Sequence, residues 1–201
     1  MDPKNEAQRK AQEKLGWERT LLLYMHDLIY ILALILILFS LVFRDVVVSG
    51  FSMFDTLTDG DYLILVSSLV SPKPERGDII VVSKDSFDDG APIVKRVIAT
   101  EGQTVDIDFE AGIVYVDGVA LEEPYTHTPT NLQEGTQFPL TVQEDCVIAL
   151  GDNRNNSKDS RSPEIGQIHR REILGRAVLL AMPSVKPEET KRDFSRIGVI
   201  R

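Results

Sequence analysis

The sequence predicts a mainly β domain carried behind one N-terminal membrane helix, and three features of the chain lead there. The first is an uncharged apolar run near the N-terminus. The second is the series of short strand-like segments after it, separated by turns rich in Gly, Pro and Asp. The third is charge placement: of 201 residues, the first 43 carry five Lys/Arg and five Asp/Glu, so the formal net charge of −9 falls wholly on residues 44–201. An acidic domain lacks the basic footprint that a phosphate backbone requires, which excludes nucleic acid as a partner. Hydrophobic content of 43% against 26% charged suits a packed core.

The membrane helix comes first along the chain. Residues 28–43, LIYILALILILFSLVF, are sixteen positions without a charge. As a helix they cover about 24 Å, short of a hydrocarbon core of about 30 Å. Extension back through LLLYM to Leu21 gives about 35 Å and sets His26 and Asp27 near the inner interface, where tilt lets them reach water or headgroups. The run is apolar on every face, unlike a core helix with a polar stripe. Five Lys/Arg precede it and only Arg44 follows within the next twenty residues. The positive-inside rule therefore sets residues 1–20 in the cytoplasm, 21–43 across the membrane and 44–201 outside the cytoplasm. A cleaved signal peptide fits less well, because Arg44-Asp45 stands where small residues are expected.

Beyond the anchor, strand follows strand. DYLILV leads through SPKPERGD to IIVV and then to IVKRVI. The stretch TVDIDFEAGIVYVDGVALEEPY alternates apolar and polar residues and turns at Ala111-Gly112 and Asp117-Gly118, as hairpins do. A looser segment, 127–135, precedes CVIAL and the polar block GDNRNNSKDSR, and the charged tail from Pro183 is too short for a second span. The tripeptide Arg76-Gly77-Asp78 reads as a turn feeding a strand. The block from Asp152 is no EF-hand, with Arg154 and Ser157 at the third and sixth positions. The one cysteine, Cys146, excludes an internal disulfide or a cysteine zinc site and reads as a buried small hydrophobe. No metal or cofactor is expected.

One serine, Ser52, is set between apolar strands in VVVSGFSMFDTLTDGDYLILV, directly after the anchor. A serine hydroxyl needs a base to become a nucleophile. His26 lies at the membrane boundary, His127 in a loop and His169 in the basic run HRR, and the GxSxG elbow is absent. A lysine can serve instead if its pKa falls by two or three units, a difference of about 3–4 kcal/mol, and burial is the means. Lys95 in PIVKRVIA has the apolar neighbours for it. Strand alternation alone equally allows Lys95 to face solvent with Val94 inward, and with Arg96 beside it one of the pair is expected to point outward.

After the anchor, the ordered blocks GFSMFDTLTDGD, RGDIIVV, VKRVIATEGQTV and GDNRNNSKDSR together resemble the type I signal peptidases (leader peptidases). These are membrane-anchored Ser/Lys endoproteases. The likeness spans nearly all of residues 44–180 and is closest in pattern to the single-anchor Gram-positive branch, which implies a reduced accessory region over about 101–144. By position, the resemblance implies Ser52 as nucleophile and Lys95 as general base. It implies Ser157 as the serine that hydrogen-bonds and orients the lysine, Asp159 and Arg161 as the charges that hold that region, and Asp152 and Arg154 as further support. The Ser52 N–H would form the oxyanion hole, with Gly50 where some relatives carry a hydroxyl donor, and Met53 beside them on the substrate-binding surface.

The resemblance further implies cleavage of exported preproteins after small residues (an Ala-x-Ala type site) at the outer membrane surface, in contact with lipid. Phe51, Met53 and Phe54 either offer apolar surface there or pack in the core. One departure stands out: the family pattern Ser-Met-x-Pro-Thr-Leu reads SMFDTL here. Asp55 in the proline position is expected to cap the turn through a backbone N–H, or, if near Lys95, to favour the ammonium. Two other readings remain: a non-catalytic anchored module that binds exported chains or assists pilus assembly, and a self-cleaving Ser/Lys regulator. The anchor and the missing DNA-binding region oppose the latter.

Overall fold

The computed structural model describes residues 3–200, with backbone alone for residues 3–16 and Glu18. The chain divides into two compact units, one up to Leu41 and one from Val42. Helix α1 (Pro3–Val42) accounts for the first. It begins well before the apolar run because residues 3–20 are rich in Ala, Gln, Glu, Lys and Arg, all strong helix formers. Its segment Arg19–Val42, 24 residues, is long and apolar enough to cross a membrane, and its apolar side chains are exposed along the whole length. Lys4, Arg9, Lys10 and Lys14, four of the five charges behind the orientation argument, have side chains outside the described residues.

The second unit is mainly β, as the sequence predicts. Its strands are β1 (Phe43–Val47), β2 (Tyr62–Ser67), β3 (Ile79–Val82), β4 (Ile93–Thr100), β5 (Thr104–Asp108), β6 (Ile113–Val116), β7 (Val119–Ala120), β8 (Leu140–Thr141), β9 (Cys146–Leu150), β10 (Ile168–His169), β11 (Ile173–Met182) and β12 (Gly198–Val199). One sheet runs β1-β2-β11-β3-β4-β9-β10, with β12 added on β11, and a second runs β7-β6-β5-β8. Every pairing is antiparallel. The hairpin turns stand where the sequence sets them. Asp117 and Gly118 both take positive φ, 52° and 77°, the backbone of a two-residue turn matched to strand twist.

Strands at the centre of the large sheet bury both faces. In β3, Ile79 and Val81 join one cluster with Leu63, Leu65 and Met53, while Ile80 and Val82 join another with Ile168 and Ile173. Strand β9 divides likewise: Cys146, Ile148 and Leu150 pack toward the second sheet, Val147 and Ala149 away from it. Strand β4 runs between these two strands. Lys95 and Arg96 are therefore both buried, at 3% and 1% exposure, and the expectation that one of them faces outward is overturned. Alternation assigns a side chain to a face, but here neither face meets water.

Where β11 crosses β2, a Cβ on Gly175 would stand 2.6 Å from the Val66 carbonyl oxygen. Backbone cannot yield there as a flexible side chain can. Gly175→Ala is expected to destabilise the domain by about 1–3 kcal/mol, read as a lower denaturant midpoint with an unchanged slope. A midpoint equal to the native one would show that the two strands can separate at no cost.

Candidate active site

Ser52 lies in the loop joining β1 to β2. The loop is closed at its base, where Val48 N donates to Asp61 O (2.9 Å) and Gly60 N to Val48 O (2.8 Å). Just before the serine, Gly50 takes φ +86°, a backbone region in which any side chain is strained although the space around it is open. Its N–H donates to Asp59 Oδ1 at 2.8 Å. Leu57 N donates to Met53 O at 2.8 Å, and both side chains sink into the core at 0% and 1% exposure. Met53 thus props the turn from beneath, and of the two places the sequence left open for it, surface or core, it takes the core. Phe51 is exposed. The half-buried Phe54 ring meets His127 edge-on, with centroids 5.3 Å apart.

From β4, Lys95 Nζ reaches to 2.8 Å from Ser52 Oγ and donates to Val94 O at 3.0 Å. Burial lowers the lysine pKa from 10.5 to about 8. Asp159, Glu134 and Asp152 oppose that shift and Arg161 assists it, but desolvation dominates. The result is an amine that exists in appreciable neutral fraction near neutral pH, at hydrogen-bond distance from a hydroxyl. A neutral amine accepts the hydroxyl proton along that same line.

The segment 151–161 walls the site. Asn153 N donates to Ser52 O (3.0 Å) and Asn153 Nδ2 to Phe51 O (3.1 Å), which fixes the backbone at Ser52. Arg96 forks onto Asp152 at 2.8 and 2.7 Å and donates to Gly77 O, while Thr56 Oγ1 donates to Asp152 Oδ2 at 2.5 Å. Arg161 forks onto Asp159 at 2.8 Å from both nitrogens, and Gly151 N donates to the same carboxylate. Arg154 grips Glu123 at 2.8 and 2.6 Å and donates to Thr130 Oγ1. Each buried carboxylate is thus matched to a planar guanidinium, the arrangement in which a buried ion pair is satisfied.

Two residues take places that differ from expectation. Ser157 Oγ makes no hydrogen bond to Lys95 and is buried without a partner. It packs on Gly151, where a Cβ would stand 2.5 Å from Ser157 Cβ and 2.6 Å from Ser52 O. Asp55 neither caps the turn through a backbone N–H nor turns toward Lys95. Its carboxylate pairs with His127 Nδ1 at 3.0 Å, with both side chains largely exposed. The sequence reading gave Arg96 no role at the site and passed over Glu123, Tyr125 and Asn153. Tyr125 carries the Arg96 guanidinium 4.0 Å above its ring and donates to Glu123. Only an arginine beside a lysine in a largely apolar strand signalled any of this, since such a residue, if buried, must find an acid.

Comparison with known proteins gives concordant matches. A family model described as signal peptidase, peptidase S26, matches residues 21–182. A signal peptidase I of Bacillus amyloliquefaciens is 29% identical over 199 residues, 94% of this chain and 97% of that protein. A signal peptidase I of Leptolyngbya laminosa is 39% identical over 140 residues, 66% of this chain and 65% of that protein. A crystal structure of a signal peptidase I from Enterococcus faecalis matches at 30% identity and a TM-score of 0.42, over 52% of this chain and 97% of that one.

A lysine held at a pKa of about 8 in the fold and 10.5 outside it costs stability. The penalty is complete below pH 8, where the native state must bury a charge or give up a proton, and it disappears as pH rises past 10.5. For a shift of this size it is about 3 kcal/mol. Lys95→Met is therefore expected to melt above the native protein at pH 7, with the gap closing between pH 8 and 10.5. A pH-independent gap would show that the lysine is not desolvated.

Proposed function

Because the chain belongs to the signal peptidase family, peptidase S26, whose members remove signal peptides at membranes, we propose that it cleaves exported preproteins with a Ser52/Lys95 dyad. The observation that carries this reading is the 2.8 Å approach of Lys95 Nζ to Ser52 Oγ at a lysine whose pKa is lowered to about 8. At pH 7 roughly a tenth of such a lysine is neutral. Lys95 takes the hydroxyl proton as Ser52 Oγ attacks the scissile carbonyl, and the Ser52 N–H stabilises the oxyanion. The Lys95 ammonium then returns that proton to the leaving amine, which departs as the N-terminus of the mature protein. In the second half, Lys95 accepts a proton from water, whose oxygen attacks the acyl ester and frees Ser52.

The substrate side follows from family and setting. Family membership supports a cut after small residues, of Ala-x-Ala type, in a signal peptide. The exposed apolar segment Arg19–Val42 supports a single-pass anchor. The excess of Lys/Arg before it supports a cytoplasmic N-terminus and a catalytic domain on the far side, facing lipid and newly translocated chains. Asp55, engaged by His127, leaves the charge balance at Lys95 to Asp159, Glu134, Asp152 and Arg161.

The test is cleavage of a preprotein with an Ala-x-Ala site by the full-length protein in detergent or lipid. The native chain is expected to cut, with a rate that rises with pH through a midpoint near 8. Ser52→Ala and Lys95→Ala should each lose about a thousandfold or more. Asp55→Asn should keep the midpoint within about half a pH unit. A folded native chain that binds the preprotein and cuts it at no pH would overturn the catalytic reading in favour of a binding module.

A further inference from the structure

The charged tail, assigned no role by the sequence, returns to the catalytic loop. After β11 the chain reverses, and β12 pairs Val199 with Leu179 and Gly198 with Leu180. Immediately before β12, Arg196 enters the molecule, its side chain 12% exposed. It donates to both oxygens of Asp61, at 3.2 and 2.6 Å, and its Nη2 lies 3.5 Å from Thr56 O. Asp61 is completely buried and sits at the base of the loop that bears Ser52.

That carboxylate organises the outgoing half of the loop. Its Oδ2 accepts from Thr58 N at 2.8 Å and its Oδ1 from Ser184 N at 2.7 Å, while the Asp61 N–H donates to Thr58 O. Ser184, also from the tail, donates through Oγ to Asp59 O at 2.5 Å. Asp59 in turn holds the Gly50 amide two residues before the nucleophile. Without Arg196, Asp61 is a buried carboxylate with two backbone donors and no counter-charge, a state relieved by taking up a proton, which weakens its hold on those donors, or by the loop opening toward water. The incoming half, held by Asn153, would keep its bonds while its frame shifts. Displacements of about 1 Å at a distance from the chemistry can cost on the order of a hundredfold in rate.

We propose that Arg196 is a positioning residue for Ser52, acting through Asp61 and the 56–61 segment, so that catalytic geometry depends on the tail being docked. The proposal rests on the Ser52/Lys95 reading above. It predicts a loss in the chemical step and not in substrate affinity, because Arg196 touches the loop from behind.

The test compares full-length native, Arg196→Ala, Arg196→Lys and Lys191→Ala chains in detergent, well below their melting temperatures. Arg196→Ala is expected to lower kcat about tenfold or more with KM within twofold. Amide exchange at Leu57, Thr58 and Asp61 should accelerate by a similar factor while Asn153 and the β9 amides keep native rates. Lys191, exposed on the same tail, should be replaceable without effect. Arg196→Lys keeps the charge but not the two-nitrogen fork and should fall between native and alanine. It carries the same readouts if the alanine variant fails to fold. Unchanged kcat and loop exchange would overturn the proposal, as would equal acceleration in the loop and in β9, which would make Arg196 a support of the whole domain. If the native chain itself cuts no preprotein, the dyad reading falls, and the exchange measurement, which needs no substrate, still decides the role of Arg196.

Discussion

Keeping one lysine away from water is the constraint on which this structure depends. A lysine at 3% exposure has lost most of the hydration that would hold its proton, and burial is the largest influence on its pKa. Burial of that kind cannot be arranged locally. It takes a strand covered on both faces, and β4 has that only because β3 and β9 flank it and the loop 48–61 and the segment 151–161 close over its polar residues. The sheet order is thus the means by which an ordinary amine comes to hold its proton more loosely.

The same dry environment makes every neighbouring carboxylate a hazard. Asp159 and Asp152 both favour the Lys95 ammonium, and unpaired they would undo what burial achieves. Each is forked by an arginine, Arg161 and Arg96. These pairs need not add stability, since desolvation offsets much of their attraction. Their effect is to spend negative charge on a fixed partner, so that the field at Lys95 stays low while the carboxylates still hold Gly151 and Thr56 in place. Arginine suits the task better than lysine because its fork fixes direction as well as charge.

How much of this could be read from the sequence depends on the range of the interaction. Hairpin turns at Ala111-Gly112 and Asp117-Gly118, the turn before β3, the burial of Cys146 and the apolar helix all came from local pattern, and all are present. Ser52 and Lys95 were singled out from residue chemistry and drawn together only by resemblance, for 43 positions separate them. What escaped is what depends on a distant partner. Alternation could not show Arg96 buried, because Asp152 is 56 positions away. Asp55 was expected to bond nearby backbone and instead meets His127, 72 positions on. Whether Met53 offered apolar surface or packed in the core was left open and it is core, because an apolar residue in a tight turn can face either way until the sheet beneath it is known.

The loop that bears Ser52 is closed by its own bonds but carries flexible and polar positions that those bonds alone do not brace. It contains two glycines at positive φ, Gly50 and Gly60, two threonines between Asp55 and Asp59, and an aspartate where the family pattern quoted above has a ring-stiffened proline. Further hold comes from outside, by Asn153 on the incoming side, Asp152 through Thr56 in the middle, and Ser184 with Arg196 on the outgoing side. Exposed pairs such as Asp55–His127 contribute under about 1 kcal/mol and cannot substitute for those buried contacts. A loop braced from several sides tolerates an unusual residue at one exposed position, because no single contact sets its shape alone. It is correspondingly sensitive to loss of a buried brace, however far along the chain that brace arises.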